Sequence, residues 1–398
     1  MQFWTPRRRV LYSAALLAGL AIGFSVFVLT SDGLTTAGGG RMGGDFPAFY
    51  AAGRLAGSSD PWRLYDAAAQ QDAQRDLFPN VRDGWIPFAY PPYVARLYAP
   101  LARLPFRLAY VIHTVLMAGL CVMAVRLLHH RSDRSWLMGS AIALTFYPMA
   151  VAILGGQNTA LSFFCAAATV AALRGGMTFQ AGVWLGVWLF KPQLALVVTV
   201  FLVLAGHWRV LAGFAVVALA LYLAEVPSRG LAWPVQWYEL GVRPFIAADL
   251  QANSAAAISL RETAYRVGAA SLAVPIVATT LLLAMVAVRF RRLSCEAVVG
   301  GAAAAAVLVS PHALFYDGGL ALIGLLTLDP LRPPPTRPLT AAWLAAPLQL
   351  AAAAFPVSVT TVTLIGTSIG AFMRGGQLWR DTPRVASACE SDPSSAPG

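Results

Sequence analysis

Charged residues are scarce in this sequence, and lysine is almost missing. Of the 398 residues, 12% are charged and 58% are hydrophobic. A chain of this size has too few polar residues to enclose so much apolar surface in water. The composition therefore excludes an ordinary soluble domain and predicts an integral membrane protein. Lys191 is the single lysine among 29 basic residues, so its position carries more information than that of any one arginine.

Cysteines are also few, and they lie far apart. Cys121, Cys165, Cys295 and Cys389 show no spacing typical of a disulfide set or a metal site, which favours isolated core residues. We therefore expect no metal and no cofactor. The net charge of +11 comes from dispersed arginines that flank apolar runs, with no basic stripe interleaved with aromatic residues. It indicates membrane topology and anionic lipid as the partner, and argues against nucleic acid.

Long apolar runs dominate the chain. Residues 10–30 follow three arginines and are too long for the apolar region of a cleaved signal peptide. They predict a retained first span with a cytoplasmic N-terminus. Further spans are predicted at about 107–127, 136–154, 159–173, 179–190, 192–205, 210–226, 271–288, 296–309, 314–328, 340–355 and 357–373.

The number of passes depends on two short apolar pieces, 179–190 and 192–205, which are separated by Lys191. Each piece is shorter than the 20 or so helical residues that a bilayer requires, so the pair forms either a hairpin of short helices or one broken helix. The hairpin gives about 12 passes with both termini in the cytoplasm, and a single span gives about 11. The arginines in the connectors assigned to the cytoplasm favour the hairpin.

The predicted fold class is therefore an all-α, multi-spanning membrane protein. We expect one transmembrane domain over 1–373, with external loops at 31–104 and 227–270. The remainder, 374–398, is rich in serine, proline and alanine and predicts a disordered cytoplasmic tail.

The first external loop predicts two short amphipathic helices, at 46–55 and 61–77. Asp60 is the expected N-cap of the second. Aromatic residues of this loop, such as Phe46 and Phe49, are expected at the level of the lipid headgroups.

Only five ionisable groups fall at or near membrane depth, and such groups are functional candidates because their burial is costly. They are Asp45, Lys191, Glu225, His312 and Asp317. Asp45 is either a general base, whose pKa burial would raise, or the N-cap of the following helix. From position alone the two interpretations are equal.

Lys191 precedes a proline that interrupts a helix, so its ammonium is a candidate contact for a phosphate. The alternatives are a lysine that reaches the surface, or one that pairs with Glu225 or Asp317. His312 could donate to a phosphate or a sugar hydroxyl, although a lone histidine is more often structural. Asp317 could orient His312 or pair with Lys191.

A polar turn between two apolar runs carries Gln157 and Asn158. These side chains could line an external cavity. Turn chemistry alone explains them nearly as well.

Taken together, these stretches resemble glycosyltransferase family 87, the polyprenyl-phosphate-sugar-dependent membrane transferases of the GT-C class. The matching stretches run in order over roughly 44–320. They are Gly44-Asp45-Phe46 with Tyr50, Asp60-Pro61 with Leu64-Tyr65-Asp66, Phe88-Ala89-Tyr90-Pro91-Pro92 with Pro100-Leu101, Gly156-Gln157-Asn158, Ala181-Gly182 with Phe190-Lys191-Pro192-Gln193, and Ser310-Pro311-His312 with Tyr316-Asp317.

The resemblance implies a GT-C fold and an inverting transfer from a polyprenyl-phosphate sugar to a lipid-linked or glycan acceptor hydroxyl. The sugar is a hexose or a pentose, with mannose as the best guess. The resemblance further implies a bacterial inner membrane protein whose active site faces the periplasm. It assigns the base to Asp45 and a position near the donor phosphate to His312. The contact of Lys191 with that phosphate is inferred from charge alone.

The other predicted substrate-binding residues are Tyr90, Gln157, Asn158 and Asp317. The donor's long tail requires a groove between helices. Small residues at Ala181, Gly182 and Gly186 are expected to let helices approach closely beside it.

Parts of the sequence also fit two functions other than a transferase. A multi-pass transporter or lipid flippase for a glycolipid or other amphiphile would suit the broken helix and the intramembrane charge. No repeat relates the two halves of the sequence, and the conspicuous polar loop lies on one side only. An inactive scaffold for other envelope enzymes is the third possibility.

Overall fold

The computed structural model describes residues 6–31, 34–35, 41–78, 85–129, 135–252, 256–291, 293–327, 337–354 and 357–378. Regular structure in these ranges is helical, with two isolated β-bridges, Thr35 to Arg41 and Ala257 to Leu314. The all-α class is therefore confirmed. Predicted disorder at 379–398 and the predicted isolation of Cys389 lie outside the described residues. The last helix ends at Leu378, five residues past the predicted domain boundary at 373.

Nineteen α-helices follow one another along the described chain. They are α1 Pro6–Thr30, α2 Phe46–Leu55, α3 Ala67–Arg75, α4 Pro92–Tyr98, α5 Phe106–Leu128, α6 Ser135–Thr145, α7 Tyr147–Leu154, α8 Thr159–Arg174, α9 Thr178–Val187, α10 Pro192–Leu204, α11 Val210–Arg229, α12 Trp233–Trp237, α13 Arg243–Ala252, α14 Leu260–Arg266, α15 Ala273–Phe290, α16 Cys295–Val309, α17 Ala321–Thr327, α18 Arg337–Ala345 and α19 Val359–Leu378. Short 3-10 helices lie at Arg63–Tyr65, Leu101–Arg103, Trp188–Phe190, Ala270–Leu272, Phe315–Leu320 and Ala346–Ala354, and a π-helix at Tyr238–Val242.

Four helical stretches of the described chain are long and apolar enough to cross a membrane. They are Leu11–Thr30, Phe106–Leu128, Val210–Arg229 and Ala270–Phe290. The pair α6 and α7, bent by 71°, would be a fifth. The other predicted spans fall on apolar helices of 10–17 residues, except 340–355, which falls on the nine-residue α18 and the 3-10 helix after it. Fifteen helical residues rise only about 22 Å. The count of about 12 passes therefore stays a prediction.

The helices divide into a buried core and an exposed periphery. Every residue of α16 from Ala297 to Leu308 is buried, whereas only 11% and 17% of the 18-residue apolar stretches of α1 and α11 are buried. The exposed faces of α1 and α11 are apolar, as expected for helices that contact lipid.

Small residues bring α9 and α11 into close contact, as expected from Ala181, Gly182 and Gly186. A Cβ added to Gly182 would lie 2.8 Å from the backbone nitrogen of Phe214. Since no larger residue fits there, the predicted close approach is confirmed.

The chain breaks at Lys191, as predicted. A 3-10 turn, Trp188–Phe190, ends α9, and Lys191 has φ −124° and ψ 76° before Pro192 starts α10. The proline cannot continue a helix because it lacks an N–H and clashes with the preceding turn. Whether the two pieces are separate passes stays a prediction.

The second helix of the first loop was predicted wrongly. The structure has a 3-10 turn at Arg63–Tyr65 and starts α3 at Ala67. Asp66 is the N-cap, because its Oδ1 accepts from the backbone N–H of Ala69 at 2.7 Å. Asp60 instead accepts from the backbone N–H of Trp62 at 2.9 Å, which closes a tight turn.

The placement of the loop aromatics at the headgroups was also wrong for the residues on α2. Phe46 and Phe49 are 0% and 1% exposed. The Phe49 ring stacks on Tyr98 with a centroid distance of 4.7 Å, and Phe46 lies 5.5 Å from Phe106. Aromatic packing of this kind joins the loop to the hydrophobic core of the helices. It fixes α2, and with it the residue that precedes it, against the start of α5.

Candidate active site

The backbone on either side of Asp45 touches the turn between α7 and α8. Gly44 has φ +56° and Gly156 has φ +70°, a region that favours glycine. A Cβ on Gly44 would lie 2.6 Å from the Gly155 oxygen, and the Asp45 N–H donates to that oxygen at 2.8 Å. These glycines let two distant segments meet without intervening side chains.

Asp45 stands at the N-cap position of α2, yet its side chain makes no capping hydrogen bond. Its Oδ2 accepts from Gln157 Nε2, which also lies 3.0 Å from the Tyr316 hydroxyl. The Tyr316 side chain hydrogen-bonds the same carboxylate. Asp45 remains of intermediate exposure. Of the two interpretations of Asp45, the structure therefore rejects the cap.

The cluster of polar side chains around Asp45 also contains Tyr90. Its hydroxyl donates to Asn158 Oδ1 at 3.3 Å and lies 3.5 Å from Gln157 Oε1. Asn158 is 2% exposed and Gln157 is 6% exposed. The two amides are thus part of a buried polar network rather than a solvated turn, because a buried amide is costly unless it is hydrogen-bonded.

Lys191 forms an ion pair with Asp317, one of the two partners that the sequence predicts for it. The Nζ and Oδ1 atoms are 2.7 Å apart, and the two residues are 5% and 6% exposed. Thr159 donates a further hydrogen bond to the same Oδ1 at 3.3 Å. Lys191 therefore neither reaches the surface nor pairs with Glu225, which binds Arg96 and Arg229 instead.

Residues 316 and 317 join the two halves of the site. Tyr316 faces Asp45, whereas the next residue, Asp317, holds Lys191. Both lie on the 3-10 helix Phe315–Leu320. The ion pair thus anchors the segment that presents Tyr316 to the Asp45 carboxylate.

His312 lies in the turn before this 3-10 helix and is half-buried. Ser310 Oγ donates to the His312 carbonyl oxygen at 2.6 Å, which fixes the turn. The imidazole meets the Phe245 ring edge-on at 4.8 Å. The backbone N–H of Ile258 donates a hydrogen bond of 3.0 Å to the carbonyl oxygen of Ala313, which holds this segment in place.

Burial raises the pKa of the Asp45 carboxyl, which lies outside the membrane-spanning helices. Hydrogen bonds from Gln157 and Tyr316 and the positive charges of His312 and Lys191 oppose the rise without cancelling it. A raised pKa makes the carboxylate a better proton acceptor near neutral pH. It is a feature common at catalytic sites.

Tyr90 has the opposite role in the same network. Burial, together with the negative charges of Asp317 and Asp45, raises the pKa of its hydroxyl well above the usual range. Tyr90 is therefore a neutral hydroxyl that donates and does not ionise.

Further hydrogen bonds hold the irregular segment that carries Tyr90. Gln70 binds both the N–H and the carbonyl of Phe88, at 2.7 and 3.4 Å. The Tyr65 hydroxyl donates to the Tyr90 carbonyl at 2.8 Å, and Trp237 donates to that of Ala89 at 3.0 Å. Because the backbone is held on both sides, the Tyr90 hydroxyl has a defined position.

Sequence reasoning missed three members of the site: Tyr316, Thr159 and Gln70. Tyr316 was noted within a motif, and its place beside Asp317 was the available signal. Thr159 directly follows the polar pair Gln157 and Asn158. No pattern in the sequence singled out Gln70.

Comparison with known proteins gives one match. A family model described as Glycosyltransferase family 87 matches residues 88–311, more than half of the chain. No curated protein and no solved structure matches the chain. The matched range contains Tyr90, Gln157 and Lys191. Asp45 precedes it, and His312 directly follows it.

Proposed function

The chain belongs to glycosyltransferase family 87, and on that premise we propose that it transfers a sugar from a polyprenyl-phosphate carrier to a lipid-linked or glycan hydroxyl, with inversion. Membership makes it a membrane glycosyltransferase and disfavours the transporter and scaffold alternatives. The observation that carries the finer proposal is the environment of Asp45. Its carboxylate caps no helix, has a raised pKa and stays partly exposed beside two hydrogen-bonding side chains, Gln157 and Tyr316.

Inversion requires a single displacement at the anomeric carbon. Asp45 takes the proton of the acceptor hydroxyl as the acceptor oxygen attacks that carbon. The bond between the anomeric carbon and the phosphate oxygen breaks, and its electron pair leaves with the polyprenyl phosphate. A carboxylate with a raised pKa suits the first half of this step, and a cationic donor suits the second, because negative charge grows on the phosphate.

We assign that donor to His312, which is half-buried and whose charge acts on Asp45. Lys191 is 5% exposed and already binds Asp317. We therefore assign Lys191 to a supporting position, where its charge and its ion pair fix the segment bearing Tyr316. Gln157 orients the base through its hydrogen bond to the Asp45 carboxylate.

Tyr90 completes the proposed substrate wall. Its neutral hydroxyl would bind a sugar hydroxyl, and Asn158, which is 2% exposed, orients it by accepting its hydrogen bond. Mannose is the best guess for the sugar, by family frequency. The acceptor is proposed to be a glycolipid or a glycan.

Charge supports the proposed membrane orientation. Three arginines precede the first predicted span and favour a cytoplasmic N-terminus, in which case Asp45, after one span, would lie on the opposite side. We propose a bacterial inner membrane location with the site on the periplasmic face.

The proposal is tested by mass spectrometry of lipid-linked sugars and envelope glycans. The strains are wild type, a deletion, and the deletion carrying Asp45→Asn or Asp76→Asn at matched membrane abundance. Asp76 is an exposed carboxylate of the same loop and serves as the control. The deletion and Asp45→Asn should accumulate the same precursor, short by one sugar, while Asp76→Asn restores the product. Full restoration by Asp45→Asn would refute the proposed base.

A further inference from the structure

An open cavity that does not belong to the candidate active site lies where the turn after α2 meets the C-terminal end of α11. Its volume is about 350 Å³. The polar residues that line it are Ser58, Ser59, Arg96, Ser228 and Arg229. None of them belongs to the cluster around Asp45.

The charges at this cavity are organised around a fully buried carboxylate. Glu225 is 0% exposed, and its Oε2 lies 2.5 Å from Arg229 Nη1 and 3.0 Å from Arg96 Nη2. Two guanidinium groups against one carboxylate leave one positive charge. Arg96 keeps 42% of its side chain exposed, so this charge faces the opening.

Two buried polar atoms of the cluster have no hydrogen-bond partner among the described residues, Arg229 Nε and Glu225 Oε1. Arg229 is 8% exposed. Its Nη2 donates to the Pro61 carbonyl at 2.9 Å, and Trp62 covers the guanidinium at 5.8 Å. Arg96 therefore carries the guanidinium that a ligand in the cavity can reach.

The neighbouring surface of α11 is apolar and open. Leu219 and Leu223 are 56% and 52% exposed. Leu223 lies about 9 Å along the helix axis from Arg229, on another side of the helix. The exposed Ala224, one turn before Ser228, continues the apolar surface to the rim of the cavity. An acyl chain lying on this surface would therefore end close to the cavity. A free phosphate would use only the cavity and leave this face uncovered.

We propose that this cavity binds the phosphodiester headgroup of an anionic phospholipid. Arg96, whose side chain is 42% exposed, binds the phosphate oxygens through its planar guanidinium. Arg229 is buried against Glu225 and Pro61 and contributes its charge, and the hydroxyls of Ser58 and Ser59 donate further hydrogen bonds. The single positive charge matches the single negative charge of a phosphodiester. The acyl chains follow the exposed face of α11.

A lipid held there would brace the first loop against α11, because Arg229 already joins the two through Pro61. The segment that follows Tyr90 also carries Arg96 on α4. At full extension six residues span no more than about 22 Å, so the backbone of Arg96 lies within that distance of Tyr90. The inference stands without the proposed function, since it rests on no residue of that site.

The test is native mass spectrometry of the delipidated full-length protein in a non-ionic detergent. The protein is titrated with dihexanoyl phosphatidylglycerol, dihexanoyl phosphatidylcholine or sodium phosphate. Arg96→Gln removes the exposed guanidinium, and Ser59→Asp adds a carboxylate at an exposed lining position without removing a charged contact. Arg103→Gln, exposed and at the same end of α4, removes a charge away from the cavity.

The wild-type protein should bind one phosphatidylglycerol more tightly than phosphatidylcholine. Arg96→Gln and Ser59→Asp should each weaken this by at least about tenfold, as expected for losing or opposing a charge-assisted hydrogen bond. Arg103→Gln should bind as wild type does, and melting temperatures should show that every variant is folded. Unchanged binding by both cavity variants, or an equal loss in Arg103→Gln, would overturn the site. Displacement of the lipid by an equal concentration of sodium phosphate would overturn its assignment to a lipid.

Discussion

Removing one member of the buried ion pair of Lys191 and Asp317 should destabilise the protein far more than replacing both members. The charged atoms are 2.7 Å apart, and the residues are 5% and 6% exposed. Removing one partner leaves an uncompensated charge out of water, which costs about 3–5 kcal/mol, whereas replacing both with apolar residues is often close to neutral. Lys191→Met and Asp317→Leu should each destabilise by that amount, and the double variant should regain most of it.

The assay is a double-mutant cycle on the purified protein, with unfolding in detergent followed as a function of added denaturant. A coupling energy of about 2 kcal/mol or more is expected for the pair. The control is the exposed ion pair of Asp72 and Arg75, whose side chains are 66% and 60% exposed. Asp72→Asn should cost no more than about 0.5 kcal/mol.

Activity separates the stabilising role of the pair from any catalytic role. If Lys191 acts by fixing the segment that carries Tyr316, a folded double variant should retain part of the transfer activity. If the free energy of unfolding of each single variant lies within about 1 kcal/mol of the wild-type value, as for a surface ion pair, the two residues do not act as a buried ion pair. A fully stable but inactive double variant would instead make Lys191 a direct phosphate contact.

Two further predictions concern the neighbourhood of Asp45. Gly156→Ala should destabilise the protein by more than Gly176→Ala, as measured by melting temperature. Both glycines have a positive φ, of +70° and +71°, but only at Gly156 would the added Cβ meet other atoms of the chain; equal losses would contradict the close contact. Transfer activity should rise with pH as Asp45 loses its proton, and Gln157→Leu should move this inflection to higher pH, because it removes a hydrogen bond that lowers the pKa of Asp45. A pH profile unchanged in Gln157→Leu would argue against Asp45 as the titrating group.

The sequence predicts the class of the protein and most of the polar residues of the site. It does so because ionisable and amide groups are rare among apolar helices, so that few candidates remain. Asp45, Gln157, Tyr90, Lys191 and Asp317 all lie in one connected region of the structure. The sequence offers two carboxylates as the partner of Lys191, and only the tertiary structure shows which of them forms the pair.

What the sequence does not predict depends on contacts between distant segments. The bond from Gln157 to Asp45 spans 112 positions, and local pattern carries no information on it. The burial of Phe46 has the same origin, since its partners belong to α4 and α5. The start of α3 was missed because both Asp60 and Asp66 are good N-cap residues, and the backbone conformation decides between them.

The role of Asp45 as the base of a sugar transfer can be tested on purified protein. The measurement is the release of polyprenyl phosphate from polyprenyl-phosphate mannose, with membrane glycolipid extract as acceptor, for wild type, Asp45→Asn and the control Asp76→Asn. If Asp45 is the base, Asp45→Asn should lose about 10²- to 10⁴-fold in activity, the usual contribution of a general base, and Asp76→Asn should lose none. Turnover by Asp45→Asn within a few fold of wild type would show that Asp45 is not the base.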